Sequence, residues 1–374
     1  MNRQRYVRHS GLTEKPLVLY PAGEYGRRML KMLRSLQVEP VAFCDSSKEK
    51  AGTVIDGVKV YSLKELLELY GTEGVKYVVN SSYNYPQIEK KLTGCGIPMD
   101  CILSPDIISY CDTGKIPRPI QISAEQKKQL KGCLLELLFF VHTTCEKYGI
   151  PYFITSGTLL GAVRHGGFIP WDDDVDVAML RKDYKRFCHV VSRELGDRYT
   201  IQELPSRKAI ALRDSEICLF GDRHSMKIMI DIFPLDTVFA FPNSFNLFQE
   251  RASMTLFRWA GRFHWYENKR GIGRFFRWLG CSIHQLCNVC STEWFHYFVP
   301  DTPNLYKNRV YNKNLIGKRT QLKFEGHPLF GPEHYDEMLQ QMFGREYMEL
   351  PPVEIQVGGH ALSKLKLPEK DSLT

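Results

Sequence analysis

Along residues 17–110, short apolar runs alternate with stretches whose apolar positions recur every three to four residues. LVLY (17–20), VAFCD (41–45) and KYVVN (76–80) predict strands, and residues 24–36, 63–69 and 85–95 predict helices. This strand–helix rhythm predicts an α/β domain, a parallel doubly wound sheet over residues 15–110. Residues 1–14 read as a tail, and 111–123, with two prolines and little periodicity, as a linker. The pattern then changes. Residues 126–147 place Leu130, Cys133, Leu134, Leu137, Leu138 and Val141 on one side of a long amphipathic helix, which Gly149-Ile150-Pro151 ends. YFIT (152–155) predicts a strand, Ser156-Gly157-Thr158 the start of a helix, and Arg164-His165-Gly166-Gly167 its end. Residues 124–374 thus form a second, α+β domain with a helical insertion, and the last residues, KLKLPEKDSLT, read as a loose tail.

Composition adds limits. At 43% hydrophobic and 25% charged, the 374-residue chain is expected to fold, with room for two domains. A net charge of +8 favours anionic partners. Zinc-finger spacings, RNP-like motifs and dense Lys/Arg arrays are lacking, so nucleic acid is not the expected partner. The 11 scattered cysteines, the start without an apolar leader core and the lack of an 18-residue apolar run point to a reducing cytoplasm.

The densest chemistry lies in IPWDDDVDVAM, where Asp172, Asp173, Asp174 and Asp176 fall within five residues. If Val175, Val177 and Met179 alternate with the acids on a strand, Asp172, Asp174 and Asp176 share a face at steps of roughly 6.5–7 Å. Each neighbouring pair then repels by roughly 2–3 kcal/mol at an effective dielectric near 20. A divalent cation is the simplest compensation, and hard oxygen ligands suit Mg²⁺ or Mn²⁺, which in turn hold phosphates. Asp173 points to the opposite face, and Trp171 is expected to pack on the sheet edge. The Ser156-Gly157-Thr158 turn offers free backbone N–H groups to a phosphate. Arg164 suits a bidentate phosphate clamp and His165 a phosphate donor or acid/base, although both also suit a helix C-terminus. Asp231 alternates with Ile230 and Ile232 and supplies a third carboxylate, while Asp236 is expected to end that strand and cap the next turn.

These motifs resemble the LicD family. The resemblance runs over about residues 124–362, through EKYGIPYFITSGTLLGAVRHGGFIPWDDDVDVAM, MIDIFPLD (229–236), FEGHPLFGPEHYDEMLQQMFG (324–344) and YMELPP (347–352), followed by His360. It implies a nucleotidyltransferase-like fold with a phosphate turn, a D-h-D pair at Asp174-Val175-Asp176 and a third acid at Asp231. It also implies transfer of a phosphocholine-like or alditol phosphate from a CDP-linked donor to a hydroxyl of a lipopolysaccharide, teichoic acid or capsule precursor. Asp172, Asp174, Asp176 and Asp231 would hold Mg²⁺ or Mn²⁺, Ser156, Gly157, Thr158, Arg164 and His165 the donor phosphates, and Glu325 would face the acceptor, with His360 a weaker candidate. A nucleotidyltransferase acting on a small molecule, and a non-catalytic scaffold in glycan assembly, are the alternatives.

Three further patterns stay open. Pro21-Ala22-Gly23-Glu24-Tyr25-Gly26, followed by Asp45, resembles a dinucleotide turn with proline in the first glycine position, as in Rossmann-like domains attached to surface-glycan enzymes. Gly23, Gly26 and Asp45 either bind a nucleotide or nucleotide-sugar or only build the turn. Residues 257–278 interleave Arg258, Arg262, Lys269, Arg270, Arg274 and Arg277 with Phe257, Trp259, Phe263, Trp265, Phe275, Phe276 and Trp278. That stretch fits either an anionic membrane surface or a hairpin packed on the core. Cys281, His284, Cys287 and Cys290, each three apart, resemble a zinc set, but four ligands on one straight helix cannot wrap a tetrahedral ion.

Overall fold

A computed structural model of the chain describes residues 16–35, 38–74, 77–80, 85–103, 120–204, 207–219, 225–239, 244–262, 272–289, 292–297, 310–351 and 362–369. The chain divides into two compact units. The first comprises Met1–Ser123, Glu216–Met226 and Val353–Lys366; the second comprises Ala124–Ser215, Lys227–Pro352 and Leu367–Thr374.

In the first unit, strands β1 (Leu17–Tyr20), β2 (Ala42–Cys44), β3 (Val54–Ile55), β4 (Val58–Tyr61), β5 (Tyr77–Asn80) and β6 (Ile102–Leu103) form one sheet in the order β3-β4-β2-β1-β5-β6. All neighbours are parallel except β3 with β4. Helices α1 (Glu24–Ser35), α2 (Leu63–Gly74) and α3 (Tyr85–Gly94) supply the crossovers. Strand β1 is buried on both faces: Leu17 and Leu19 pack with Leu30 and Leu33, whereas Val18 and Tyr20 pack with Leu66 and Leu92. A continuous apolar strand is what a central position with helices on both faces demands. The order reverses between β1 and β5, the doubly wound arrangement that the sequence pattern predicts. The hairpin β3–β4 and strand β6 are additions to that prediction. Asp56 and Gly57 take φ of 48° and 84° in the turn, the left-handed pair that a tight β-hairpin needs.

The second unit opens with α4 (Ala124–Lys147), whose buried side is Leu130, Leu134, Leu137, Leu138 and Val141. Strand β7 (Phe153–Ile154), helix α5 (Ser156–His165), strand β8 (Asp176–Leu180) and helix α6 (Arg181–Val190) follow. Strands β9 (Tyr199–Glu203) and β10 (Lys208–Leu212) come next. The segment β11 (Glu216–Leu219) leaves this unit and groups with the first. The ten-residue strand β12 (Met229–Val238) organises the second sheet. One edge pairs in parallel with β8; the other pairs antiparallel with β10 and then with β13 (Trp294–Tyr297), which adjoins β14 (Val310–Asn312). Between β12 and β13, α7 (Ser244–Arg262) and α8 (Ile272–His284) pack together so closely that a Cβ on Gly280 would press on Phe257. The hairpin of β15 (Thr320–Phe324) and β16 (His327–Gly331) leads to α9 (Tyr335–Phe343). Residues 362–366 are not a loose tail: β17 (Leu362–Lys366) pairs antiparallel with β11, within the first unit.

Candidate active site

The acid-bearing segment is built differently from the expected strand. Only Asp176 belongs to β8; Asp172, Asp173 and Asp174 lie in the irregular stretch before it. The strand expected over these acids therefore begins only at Asp176. A strand needs neighbours, and those of β8 begin only where Ile154 of β7 meets Val177 and Asp231 of β12 meets Asp176. That register does something the sequence pattern could not guarantee. Asp176 and Asp231 are Cα partners on adjacent parallel strands, and the Asp231 N–H donates to the Val175 carbonyl at 3.1 Å.

The turn at the start of α5 is stitched to Asp176 from both sides. The Thr155 N–H donates to the Asp176 carbonyl at 3.1 Å, and the Asp176 N–H donates to Thr158 Oγ1 at 2.8 Å. Thr158 thus positions the acid strand with its hydroxyl. Thr155 Oγ1 pairs with Tyr297 Oη at 2.7 Å, which ties the turn to β13. Ser156 takes φ of 51°, a left-handed conformation costly for a residue with a Cβ and frequent at functional turns. A Cβ on Gly157 would collide with the Asp172 carboxylate, so glycine lets that acid lie against the helix start.

Burial pushes the pKa of Asp176 well above the carboxylate range, and Asp174, Asp231 and Asp172 push it further, while Arg207 opposes them. The charges of Asp174, Asp231 and Asp172 thus converge on Asp176. Arg207, which no sequence motif marks, grips Asp231 with both arms: Nε donates to Oδ1 at 3.0 Å and Nη2 to Oδ2 at 2.8 Å. It lies 24 positions upstream, and only the β10–β12 pairing brings the two together.

Beside Gly157 and Asp172 opens a cleft of about 590 Å³, walled by Arg164, Trp171, Phe343 and Tyr347, with Glu346 and Glu349 among its acids. Trp171 thus lines a cleft. Arg164 Nη1 donates to the carbonyls of Tyr347 (2.8 Å) and Glu349 (3.2 Å), so it anchors the cleft's far wall as well as facing it. His165 meets Trp171 edge to face at 6.0 Å, and burial followed by the charges of Arg164 and Lys131 lowers its pKa. Glu325 plays a definite structural part. Its Oε1 accepts from the Phe168 N–H at 2.9 Å while its own N–H donates to the Gly166 carbonyl. It clamps the loop between α5 and the acids, and a Cβ on Gly167 would strike it.

Asp174 and Asp176 offer the hard oxygens that Mg²⁺ or Mn²⁺ prefers. Among the described residues, no three His, Cys, Asp or Glu side chains form a ready-made cage. Mg²⁺ is commonly held by one or two carboxylates together with substrate phosphates. The donor set therefore fits an ion shared with a phosphorylated substrate.

The remaining candidates fall elsewhere. Asp45 Oδ2 accepts from the Ala22 N–H (2.9 Å) and Lys50 Nζ (3.0 Å), and Oδ1 from the Ser47 N–H (2.9 Å). That carboxylate closes the β1 turn. Gly26 serves close packing, since a Cβ there would strike the Pro21 carbonyl, whereas a Cβ on Gly23 would meet open space. Asp236 neither ends β12 nor caps a turn: it is fully buried within the strand and held by Arg181, Asn288 and His284. His284 lies at the end of α8 with Nε2 at 2.9 Å from His296 Nε2, and Cys281 sits in α8. Cys290, His360, Lys269 and Arg270 lie outside the described residues, as do residues 1–14 and most of the linker.

Comparison with known proteins matches the stretch that carries these acids. Residues 149–257 match the family described as LicD/FKTN/FKRP, nucleotidyltransferase domain, and residues 13–103 match C2185-like, N-terminal. The lipopolysaccharide cholinephosphotransferase LicD of Haemophilus influenzae is 48% identical over 68 residues, 18% of this chain and 26% of the relative. The human ribitol 5-phosphate transferase FKRP is 44% identical over 50 residues, 13% of this chain and 10% of the relative. The human ribitol-5-phosphate transferase FKTN is 42% identical over 61 residues, 16% of this chain and 13% of the relative. The matched stretch thus spans about a quarter or less of each of these relatives. Residues 149–257, which lie in the second unit apart from Glu216–Met226, are thus the stretch of this chain that is similar to the LicD/FKTN/FKRP nucleotidyltransferase domain.

Proposed function

We propose that the second unit transfers a substituted phosphate from a CDP-linked donor to a hydroxyl of a cell-surface glycan or its lipid-linked precursor. The observation that carries this reading is the register of Asp176 against Asp231, directly behind the strained Ser156 turn. In the reaction, the acceptor oxygen attacks the phosphorus that bears the alcohol, the P–O–P bond breaks, CMP leaves, and the hydroxyl proton passes to a carboxylate of the cluster. A bound Mg²⁺ or Mn²⁺ would neutralise the diphosphate and the developing charge on the leaving nucleotide. Asp174 and Asp176 are the residues that would hold it, with Asp172 completing the negative field from the turn. The Ser156, Gly157 and Thr158 backbone orients the donor phosphates at the start of α5, and Arg164 faces them across the cleft. Phosphoryl transfer needs positioning and charge stabilisation more than covalent chemistry, which suits a site made of carboxylates and backbone.

The cleft also bears on the donor alcohol. Trp171, Phe343 and Tyr347 give aromatic faces, and Asp172, Glu346 and Glu349 give negative charge, a combination that favours a cationic headgroup over a polyol. CMP release should therefore be fastest with CDP-choline and slower with CDP-ribitol or CDP-glycerol, and should need Mg²⁺ or Mn²⁺. Detection of nucleotidylated acceptor in place of CMP would replace this reading with nucleotide transfer to a small molecule.

The helical pair α7–α8 suggests where the acceptor's membrane lies. Phe248, Trp259, Phe275 and Trp278 are 63%, 45%, 53% and 61% exposed. The two helices carry five arginines and one acid. Exposed aromatics beside arginines suit an anionic lipid surface, here the inner face of the cytoplasmic membrane. Among the described residues no helix is long and apolar enough to cross a membrane. Co-sedimentation with phosphatidylglycerol vesicles at low salt, lost in Trp278→Ser/Phe275→Ser, is the expected result. Equal sedimentation of both proteins would remove this contact.

A further inference from the structure

The pairing of Arg207 with Asp231 has the geometry of a counter-ion built into the acid cluster. Both oxygens of Asp231 are engaged by the guanidinium, at 3.0 and 2.8 Å. The guanidinium is held from its other side by the ring of Phe233, at 4.7 Å from the centroid. Arg207 and Asp231 side chains are only 12% and 22% exposed, so the pair is fixed and weakly screened. Phe233 is in turn locked against Tyr297, whose hydroxyl pairs with Thr155 at the phosphate turn. The backbone adds to this, since the Leu204 N–H donates to the Arg207 carbonyl at 2.9 Å and fixes the residue at the entrance to β10. The charge of Arg207 therefore stands beside Asp231 on the strand next to Asp176, and it opposes the acids acting on Asp176.

In two-ion phosphoryl-transfer sites, a second metal sits roughly 3.5–4 Å from the first and is bridged by shared carboxylates. Here that carboxylate is already neutralised by an arginine. We propose that Arg207 takes the place of a second metal ion, so that the site works with a single divalent cation on Asp174 and Asp176 and Asp231 is not one of its ligands. Arg207 is on this account a positioning residue, and the inference rests on the phosphate-transfer reading above. An arginine is permanently charged and cannot be diluted away, so such a site keeps part of its positive charge when metal is scarce.

The test counts ions directly, with Mn²⁺ alone titrated into the full chain and free Mn²⁺ followed by electron paramagnetic resonance. Wild type and Arg207→Lys are expected to bind one ion. Arg207→Gln, which removes the cation and frees Asp231, is expected to bind two, or to hold the first at least about tenfold more tightly, as loss of a nearby like charge predicts. Asp231→Asn leaves the Arg207 charge uncompensated beside the ion and is expected to bind one ion more weakly. Arg207→Gln/Asp231→Asn, which removes both charges, is expected to bind one ion with near wild-type affinity and provides a second arm if Arg207→Gln does not fold. Two ions in the wild type, unchanged binding in Arg207→Gln, or a tenfold loss in Arg207→Gln/Asp231→Asn would overturn the proposal while leaving metal-dependent transfer intact. Absence of any Mn²⁺ binding in the wild type, with CMP release unaffected by chelator, would overturn the metal reading together with it.

Discussion

Asp176→Asn is expected to lower transfer by roughly a thousandfold while making the folded chain more resistant to heat. The loss of activity follows from removing the one acid that combines strand register with burial at the phosphate turn. An interaction worth about 4 kcal/mol in the transition state corresponds to that factor, and metal-assisted charge stabilisation is of this size. The backbone contacts survive, because Thr158 accepts from the Asp176 amide and Thr155 donates to its carbonyl, neither of which uses the side chain. The gain in stability comes from the opposite side of the same design. Burial and the charges of Asp174, Asp231 and Asp172 raise the folded-state pKa of Asp176 above its unfolded value near 3.8. The folded chain therefore binds this proton more tightly than the unfolded chain. Stability falls as pH rises from about 4 toward the folded pKa, and above it the full cost of the buried charge is carried. Asparagine escapes that cost. In chelator at pH 8 the variant should melt several degrees higher, each kcal/mol shifting a domain of this size by about 2–4 °C. The difference should vanish below about pH 4, where aspartate is neutral in both states. A variant equally active, or no more stable at pH 8 than at pH 4, would contradict this assignment.

The sequence and the structure agree where a local pattern carries the information. The β1–α1–β2 alternation is legible because Leu17–Tyr20 is apolar without a break, and only a strand covered on both faces needs that. The turn at Ser156 is legible from strand, small residues and helix in succession. Asp231 is legible from its alternation with Ile230 and Ile232, both of which are fully buried. The acids at 172–174 mislead because alternation of Asp and Val imitates a strand even when no neighbouring strand reaches that far. The β3–β4 hairpin carries a usable local signal, Asp56-Gly57 between apolar residues. Arg207 has none. Its role depends on which strand lies beside β12, a pairing set by the whole sheet. The same holds for Tyr297, which reaches Thr155 across 142 residues of chain. Glu325 shows a different limit: a motif residue can be specific in spacing and still serve the loop that carries the site, as its clamp on Phe168 does.

Arg181→Ala is expected to cost about 3–5 kcal/mol, the usual result of leaving one buried charge without its partner. Asp236 is completely buried, and burial alone would raise its pKa, yet the charge and hydrogen bonds of Arg181, with help from His284 and Asn288, hold it below the carboxylate range. Arg181→Met/Asp236→Leu should recover most of the loss in urea denaturation, because removing both charges leaves no unpaired ion. Beside the pair, His284 and His296 are kept neutral. Burial, and then each other's proximity, pushes His284 well below its ordinary value, and burial lowers His296 to about 4. Below the unfolded-state value near 6.5, the unfolded chain takes up these protons while the folded chain does not. The histidine contribution to stability should therefore be level above about pH 6.5 and should decline from there toward pH 4, each histidine contributing about 1.4 kcal/mol per pH unit while only the unfolded chain is protonated. The shift of Asp236 has the same sign and a lower window: its contribution is fully present above about pH 4 and lost below, once the folded carboxylate protonates. His296→Gln, which keeps a polar group opposite His284, should halve the histidine share of the slope between pH 6.5 and 4 and leave the decline below pH 4 unchanged. An undiminished slope in that variant would mean that the two imidazoles are already protonated in the folded chain, with Asp236 balancing them.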